Sequence, residues 1–390
     1  MKNIRNVNLK GKKVILRTDF NVPLENGKII NDSRIIEALP TIEYILKSGG
    51  SIIIISHLGR PDGKKISALS LKPVAKRLEK LLDKKVDFIP ESIGARSREK
   101  AENLKPKQVL MLENLRFNVQ EELGDPEFAK KLAGLGDIFV QEAFSSAHRS
   151  HASMLAITKF LPSYAGLHFE KEYMRLTEIF DKPKKPFVFV AGGKKVETKV
   201  EILKKVLDKA DIILFGGGLA NTFLVAEGHE VGKSFYEEEY VSDAETVIRD
   251  GYDKGVEILL PTDVIIAKNP GESANIQEKD VQQVGPGDII VDIGPKTVAK
   301  YAQPIKFAGT IFWNGPLGIA EKERSAGGTK AIANMILNSG TVAVIGGGDT
   351  VAALDRLKIS GEDFTHVSTA GGALMALLSG EKLPAVEVLR

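Results

Sequence analysis

Five arginines and three histidines follow closely on short apolar runs in the first half of this 390-residue chain. Arg17, Asp19 and Asn21 come directly after one run, with Arg34 a little further on. His57 and Arg60 come after a second and Arg116 after a third. His148, Arg149 and His151 come after a fourth. Taken singly, each reads as a surface arginine, a turn histidine or a capping aspartate. Taken together, five cations at the ends of neighbouring strands need an anion to offset their repulsion. Guanidinium forks suit phosphate and carboxylate, whereas Asp19 and Asn21 suit a hydroxyl. A phosphorylated hydroxy acid meets all three demands.

The second half places glycine where the first places charge. The runs are Gly192-Gly193-Lys194-Lys195, Gly216-Gly217-Gly218, Asn314 to Gly318, Gly346-Gly347-Gly348-Asp349-Thr350 and Ser368 to Gly372. Glycine at the turn from strand to helix lets backbone N–H groups approach phosphate, and the helix adds its positive end. One such turn serves packing as readily as binding; five in one region point to phosphate. Asp349 could hold Mg²⁺ on nucleotide phosphates. The Walker A pattern and the GxGxxG fingerprint with its downstream acid are both missing, so neither standard nucleotide motif applies.

Elements that would present these residues follow from the hydrophobic pattern. Strands are expected over 13–20, 51–57, 109–115, 137–144, 186–193, 211–218, 256–267, 310–316, 341–348 and 366–369. Between them Val74, Leu78, Leu81 and Leu82 share a helix face, as do Val200, Leu203, Leu207 and Ala210. Alternation of strand and helix implies an α/β fold of two lobes, each a parallel, doubly wound, Rossmann-like sheet covered by helices. Phe169, Tyr173, Leu176 and Phe180 fall at helical spacing ahead of a charged, proline-bearing stretch. The expected limits are therefore 1–165 for the first domain, 166–185 for a connecting helix and hinge, and 186–382 for the second domain.

Composition narrows the class further. The formal net charge of +3 is too small for wholesale nucleic-acid binding. With no cysteine, disulfides, thiolate metal sites and cysteine nucleophiles are excluded. Apolar runs such as Ile52–Ile55 are far too short to span a membrane. The basic N-terminal stretch has no apolar segment of signal-peptide length, so a cytoplasmic protein is expected.

The motifs RTDFNVPL (17–24), SHLGRP (56–61), LENLRF (112–117), AFSSAHRSHAS (143–153), GGKKVETK (192–199), WNGPLGIAE (313–321), GGGDT (346–350) and STAGGA (368–373) occur in this order. In them the chain resembles the phosphoglycerate kinase family along essentially its whole length. The resemblance implies that the first lobe binds 3-phosphoglycerate or 1,3-bisphosphoglycerate and the second binds ADP or ATP with Mg²⁺. It implies substrate contacts from Asp19, Asn21, Arg34, His57, Leu58, Gly59, Arg60, Arg116 and Arg149, with Arg17, His148 and His151 in the same basic patch. On the nucleotide side it implies Lys195, Lys199, Gly217, Gly218, Asn314, Glu321, Gly347, Gly348, Asp349 and Thr350, with Asp349 on the metal. Arg34, Lys195, Gly371 and Gly372 would serve the transferred phosphoryl group. It also implies that the segment 383–390 returns to the first lobe, and that the protein is a monomer without nucleic-acid or membrane partners.

Several positions depart from the family pattern: Lys194 and Ala370 where small residues or glycine are usual, Gln141-Glu142 for Asn-Asp, and Ile290 for a small residue. Lys194 reads as an exposed charge on the face opposite Lys195. The transfer itself needs no general base, because a carboxylate acceptor is already ionised at neutral pH. Two other readings compete. One is a protein that holds both ligands without efficient transfer, and the other is a two-lobed binder of a different phosphorylated acid.

Overall fold

The computed structural model describes residues 1–197, 199–269, 276–368 and 370–390. Thr198 of the motif at 192–199 and Thr369, the expected end of the last strand, lie outside these residues. The chain forms two compact units, Met1–Leu176 with Glu381–Arg390, and Thr177–Gly380. The division falls within the helix Leu167–Asp181.

The first unit contains β1 (Lys13–Arg17), a hairpin of β2 (Leu24–Glu25) and β3 (Lys28–Ile29), then β4 (Ser51–Ile55), β5 (Val86–Ile89), β6 (Val109–Leu112), β7 (Ile138–Gln141) and β8 (Ser163–Ala165). Six of these form one sheet in the order β5-β6-β4-β1-β7-β8, with every pairing parallel. Alternate residues serve opposite faces. Val14, Leu16, Ile52 and Ile54 join one core, while Ile15, Ile53, Ile55 and Leu110 join the other. Both faces being covered explains why β4 is isoleucine at every position from 52 to 55. Each such side chain contributes about 1.5–3 kcal/mol by leaving water. The segment 381–390 belongs to this unit: the Lys2 N–H donates to Leu389 O at 2.7 Å and the Ala385 N–H to Ala147 O at 3.2 Å.

The second unit contributes β9 (Phe187–Ala191), β10 (Ile212–Phe215), β11 (Glu257–Leu259), β12 (Asp263–Ala267), β13 (Gln277–Asp280), β14 (Ile289–Ile293), β15 (Thr310–Asn314), β16 (Val342–Gly346) and β17 (His366–Ser368). Its main sheet runs β11-β10-β9-β15-β16-β17, again wholly parallel, and β13-β12-β14 form a separate antiparallel sheet. The expected single strand over 256–267 is thus two strands in two sheets. Leu260 and Pro261 lie between them, and proline cannot donate to a ladder.

The expected strands begin where the structure begins them, within a residue, and eight of the ten run two to three residues too far. The overrun residues are the polar and glycine turns that leave the carboxyl ends of each sheet, which is where ligands of open α/β sheets bind. Among the described residues no helix is long and apolar enough to cross a membrane.

Candidate active site

In the first unit, the ends of β1, β4, β6 and β7 bring the predicted cations together. Arg17, the last residue of β1, is fully buried. Its Nε donates to Ser153 Oγ at 2.9 Å, and its Nη2 lies 3.3 Å from His57 Nδ1. Burial pulls the Arg17 guanidinium below its ordinary value, Glu121 and Asp19 oppose this, and Arg149 adds to it. Arg116 donates through Nη1 to Gly59 O at 2.7 Å and pairs through Nε with Glu122 at 3.2 Å. Burial lowers it too, and the charges of Arg149 and Arg17 lower it further. Three guanidinium groups therefore sit close enough to feel one another.

The histidines adapt to this field by staying neutral. Burial drives His57 well below its ordinary pKa, and Arg17, Arg116 and Arg34 push the same way. His151 falls to about 3 through burial and the charges of Arg17, Arg116 and Arg149. His148 is also lowered, by burial first and then by Arg149. The positive charge of the rim is thus carried by arginine alone.

Asp19 and Asn21 organise the loop after β1. Asp19 accepts from the Arg34 guanidinium, from the Ser145 hydroxyl and from the Asn21 N–H. Burial alone would raise its pKa, yet the charge of Arg34, the Ser145 bond and the charge of Arg17 hold it well below the carboxylate range. Asn21 Oδ1 accepts from the Gly59 N–H at 2.8 Å. Leu58 is buried behind this turn, with its carbonyl oxygen taking Asn114 Nδ2 at 2.7 Å, and Arg60 stands exposed just beyond. Gly59 has φ +64 and faces Leu69, so a side chain there would be both strained and crowded.

In the second unit, the turns after β9, β10, β15 and β16 surround a cavity of about 560 Å³. Gly217, Gly218, Glu321 and Asp349 line it, as do Lys194, Asn221 and Phe235, which sequence reasoning did not select. Gly217 has φ +65, and a Cβ there would come within 2.7 Å of Gly193 O. Lys194 is not simply a solvated charge: its Nζ stands 4.4 Å over the Phe235 ring on the cavity wall. Lys195 is about half exposed and pairs with Glu197 at 3.2 Å.

Lys199, Asn314 and Thr350 tie these turns together by hydrogen bonds. Lys199 Nζ donates to Gly192 O and, at 3.0 Å, to Asn314 O. Burial pulls its pKa down to about 7, against the charge of Asp349. Asn314 Nδ2 donates to Gly346 O at 2.9 Å, and Thr350 Oγ1 accepts from the Gly315 N–H at 2.7 Å. Gly347, with φ +95, leads into the helix Gly348–Arg356, whose first turn carries Asp349. Gly371 has φ +47 and precedes the helix Gly372–Leu378; neither glycine is on the cavity wall.

Buried acids that support these sites escaped the sequence reading. Glu121 takes the Ser153 N–H and hydroxyl and so fixes the partner of Arg17. Asp292 accepts from the N–H groups of Ile293 and Gly328, and burial raises its pKa to about 7. Glu142 receives the Thr41 hydroxyl and the N–H groups of His168 and Phe169 at 3.2 and 3.3 Å, tying down the start of the helix Leu167–Asp181. The identity of Glu142 was noted only as a departure from pattern. Nothing local marks a buried acid that acts through backbone N–H groups far along the chain.

An arginine-rimmed α/β unit joined to a second α/β unit with a glycine-walled cavity defines a phosphotransferase of small anionic substrates. The family model for phosphoglycerate kinase matches residues 4–381. Curated phosphoglycerate kinases of Herpetosiphon aurantiacus and Dictyoglomus turgidum are each 44% identical, over 387 and 388 residues, covering 99% of this chain and 98% of theirs. The solved structure of phosphoglycerate kinase from Coxiella burnetii matches with a TM-score of 0.89 at 41% identity, over 99% of this chain and 98% of that one. The chain belongs to the phosphoglycerate kinase family.

Proposed function

We propose that the protein catalyses reversible phosphoryl transfer between 1,3-bisphosphoglycerate and ADP, giving 3-phosphoglycerate and ATP. The observation that carries the reading, beside family membership, is the arginine rim. Beyond the effect of burial, the charge of Arg149 lowers the proton affinity of Arg17, Arg116 and His151; Glu121, Asp19 and Glu122 offset part of the repulsion, and a bound anion relieves it further. A phosphate with a carboxylate supplies it.

The first unit takes phosphoglycerate through Asp19, Asn21, Arg34, His57, Leu58, Gly59, Arg60, Arg116 and Arg149. The second takes the nucleotide through Lys195, Lys199, Gly217, Gly218, Asn314, Glu321 and Gly347–Thr350. The attacking carboxylate is ionised at neutral pH, so the protein's task is electrostatic. Arg34, Lys195 and the N–H groups at Gly371 and Gly372 stabilise charge spreading over the transferring group. Each such donor is worth roughly 3 kcal/mol of barrier.

The residues present fit Mg²⁺. This ion needs only one or two protein carboxylates when phosphates and water complete its shell. Asp349, exposed in a first helical turn on the cavity wall, supplies one. The absence of a three-ligand cluster among the described residues is in keeping with that mode. When bound, the ion neutralises phosphate charge.

In-line transfer requires reacting atoms about 3–3.5 Å apart, so a substrate on each unit calls for closure that also excludes water. The connecting helix and the turn at 368–372 are the proposed hinges. A monomer working in the cytoplasm, without nucleic-acid or membrane partners, completes the reading. The test is ATP-dependent turnover of 3-phosphoglycerate with and without Mg²⁺. Turnover that requires both is expected. Failure to form ADP with an intact protein would overturn the assignment.

A further inference from the structure

The ammonium of Lys195 is engaged away from the second-unit cavity. Lys194 lines that cavity and Lys195 does not. Lys195 Nζ donates instead to Glu197 Oε2 at 3.2 Å, with both side chains about half exposed. The backbone beneath the pair is fixed. Val196, between the two residues, is fully buried. Its N–H and that of Glu197 both donate to the Glu237 carboxylate, the second at 3.3 Å. Glu237 is itself buried, and its own N–H donates to Thr222 Oγ1 at 3.1 Å. A buried acid forty residues further along the chain thus clamps the peptide groups that carry the pair.

An ion pair this exposed contributes little to stability, so its effect falls on the lysine. The Glu197 bond and charge raise the proton affinity of the ammonium, and the charge of Glu237 adds to this. Any phosphate oxygen that reaches Lys195 meets the Glu197 carboxylate at close range. Two anions then compete for one cation: the bond to Glu197 is given up, or it is shared against their mutual repulsion.

We infer that Glu197 is a positioning residue for Lys195, holding its ammonium off the cavity in the free protein and setting what it costs to bring that ammonium to the terminal phosphate of ATP. The inference rests on the reading of Lys195 as the lysine that serves the transferred phosphoryl group. The exchange of partners is complete once ATP is bound, so bound substrate and transition state feel it alike. It therefore acts on affinity rather than on kcat. ADP lacks the phosphate concerned and does not draw on the pair.

Calorimetric titration of the full chain with ATP and with ADP, each with Mg²⁺, provides the test. An ionic strength of about 0.15 M screens the more distant surface charges. Glu197→Gln should bind ATP about threefold more tightly than the wild-type protein, the scale of one exposed pair, with ADP affinity unchanged. Steady-state kinetics should place the change in KM for ATP and not in kcat. In a Lys195→Ala background the same substitution should leave ATP affinity unchanged, as a double-mutant cycle requires of two residues that act through each other. Unaltered ATP affinity in Glu197→Gln overturns the inference. So does an equal gain for ADP, which would be a general effect of charge, and so does a gain that persists without Lys195. If Lys195→Ala by itself costs no turnover, the reading of Lys195 fails and this inference with it.

Discussion

Arg34 donates a charged hydrogen bond to Asp19, whose carboxylate also takes the Ser145 hydroxyl and stands 3.9 Å from His57. The guanidinium is therefore held in place by the loop after β1 rather than swinging in solvent. Arg34→Ala should lower turnover by about two orders of magnitude or more while ADP affinity stays within twofold. Steady-state kinetics with calorimetry of ADP binding checks this. Loss of ADP affinity with turnover preserved would contradict the assignment of Arg34 to the acceptor side.

Lys194 and Lys195 separate two roles. Lys195→Ala should cost about 10²–10³ in kcat, as for loss of a donor that acts in the transition state. Lys194→Ala should leave kcat within a few-fold and act on the KM for nucleotide, because Lys194 lines the cavity against Phe235. Kinetics on both variants at saturating and limiting ADP separate these outcomes. A larger loss of kcat at Lys194 would reverse the assignment.

Asp349→Asn should weaken binding of ADP in the presence of Mg²⁺ while 3-phosphoglycerate affinity is preserved, since a neutral amide is a poor ligand for that ion. Titrations across Mg²⁺ concentration measure it. An unchanged Mg²⁺ dependence would remove Asp349 from the metal.

Glu142 sets a pH dependence of stability. Burial raises its pKa from an ordinary 4.5 to about 8, against the Thr41 and backbone bonds. Between those values the folded protein keeps a proton that the unfolded chain has lost, so stability falls as pH rises through this window. Asp292, raised to about 7, contributes in the same direction. Denaturant unfolding at pH 6.5 and pH 9 should show a smaller decline in Glu142→Gln than in the wild-type protein. An equal decline in both would mean that Glu142 is not protonated in the folded state.

The clustering of charge in the first half and of glycine in the second was legible because it is dense and local. Arg17, Asp19 and Asn21 fall within five residues, and Gly346 to Thr350 do likewise. Strand starts were also legible, since β1, β4 and β9 are apolar on both faces. β13 was not: its sequence Gln-Glu-Lys-Asp is held by pairing to β12, with no apolar alternation to betray it. β11 and β12 merged in the reading because only the short stretch Pro261-Thr262-Asp263 separates two apolar runs. Lys194 looked like a solvated charge because Phe235 is forty-one positions away along the chain, and only the fold puts the ring under the ammonium.

The backbone bond from Lys2 to Leu389 gives the first unit an unusual order of construction. Leu383, Ala385, Val386 and Leu389 are buried in that unit, yet they follow the whole of the second in the chain. A ribosome, working from the amino end, thus delivers a finished second unit before the last side chains the first one buries. A nascent chain halted near residue 380 would carry a closed second unit and a first unit with an open seam, the kind of exposed apolar surface that chaperones engage.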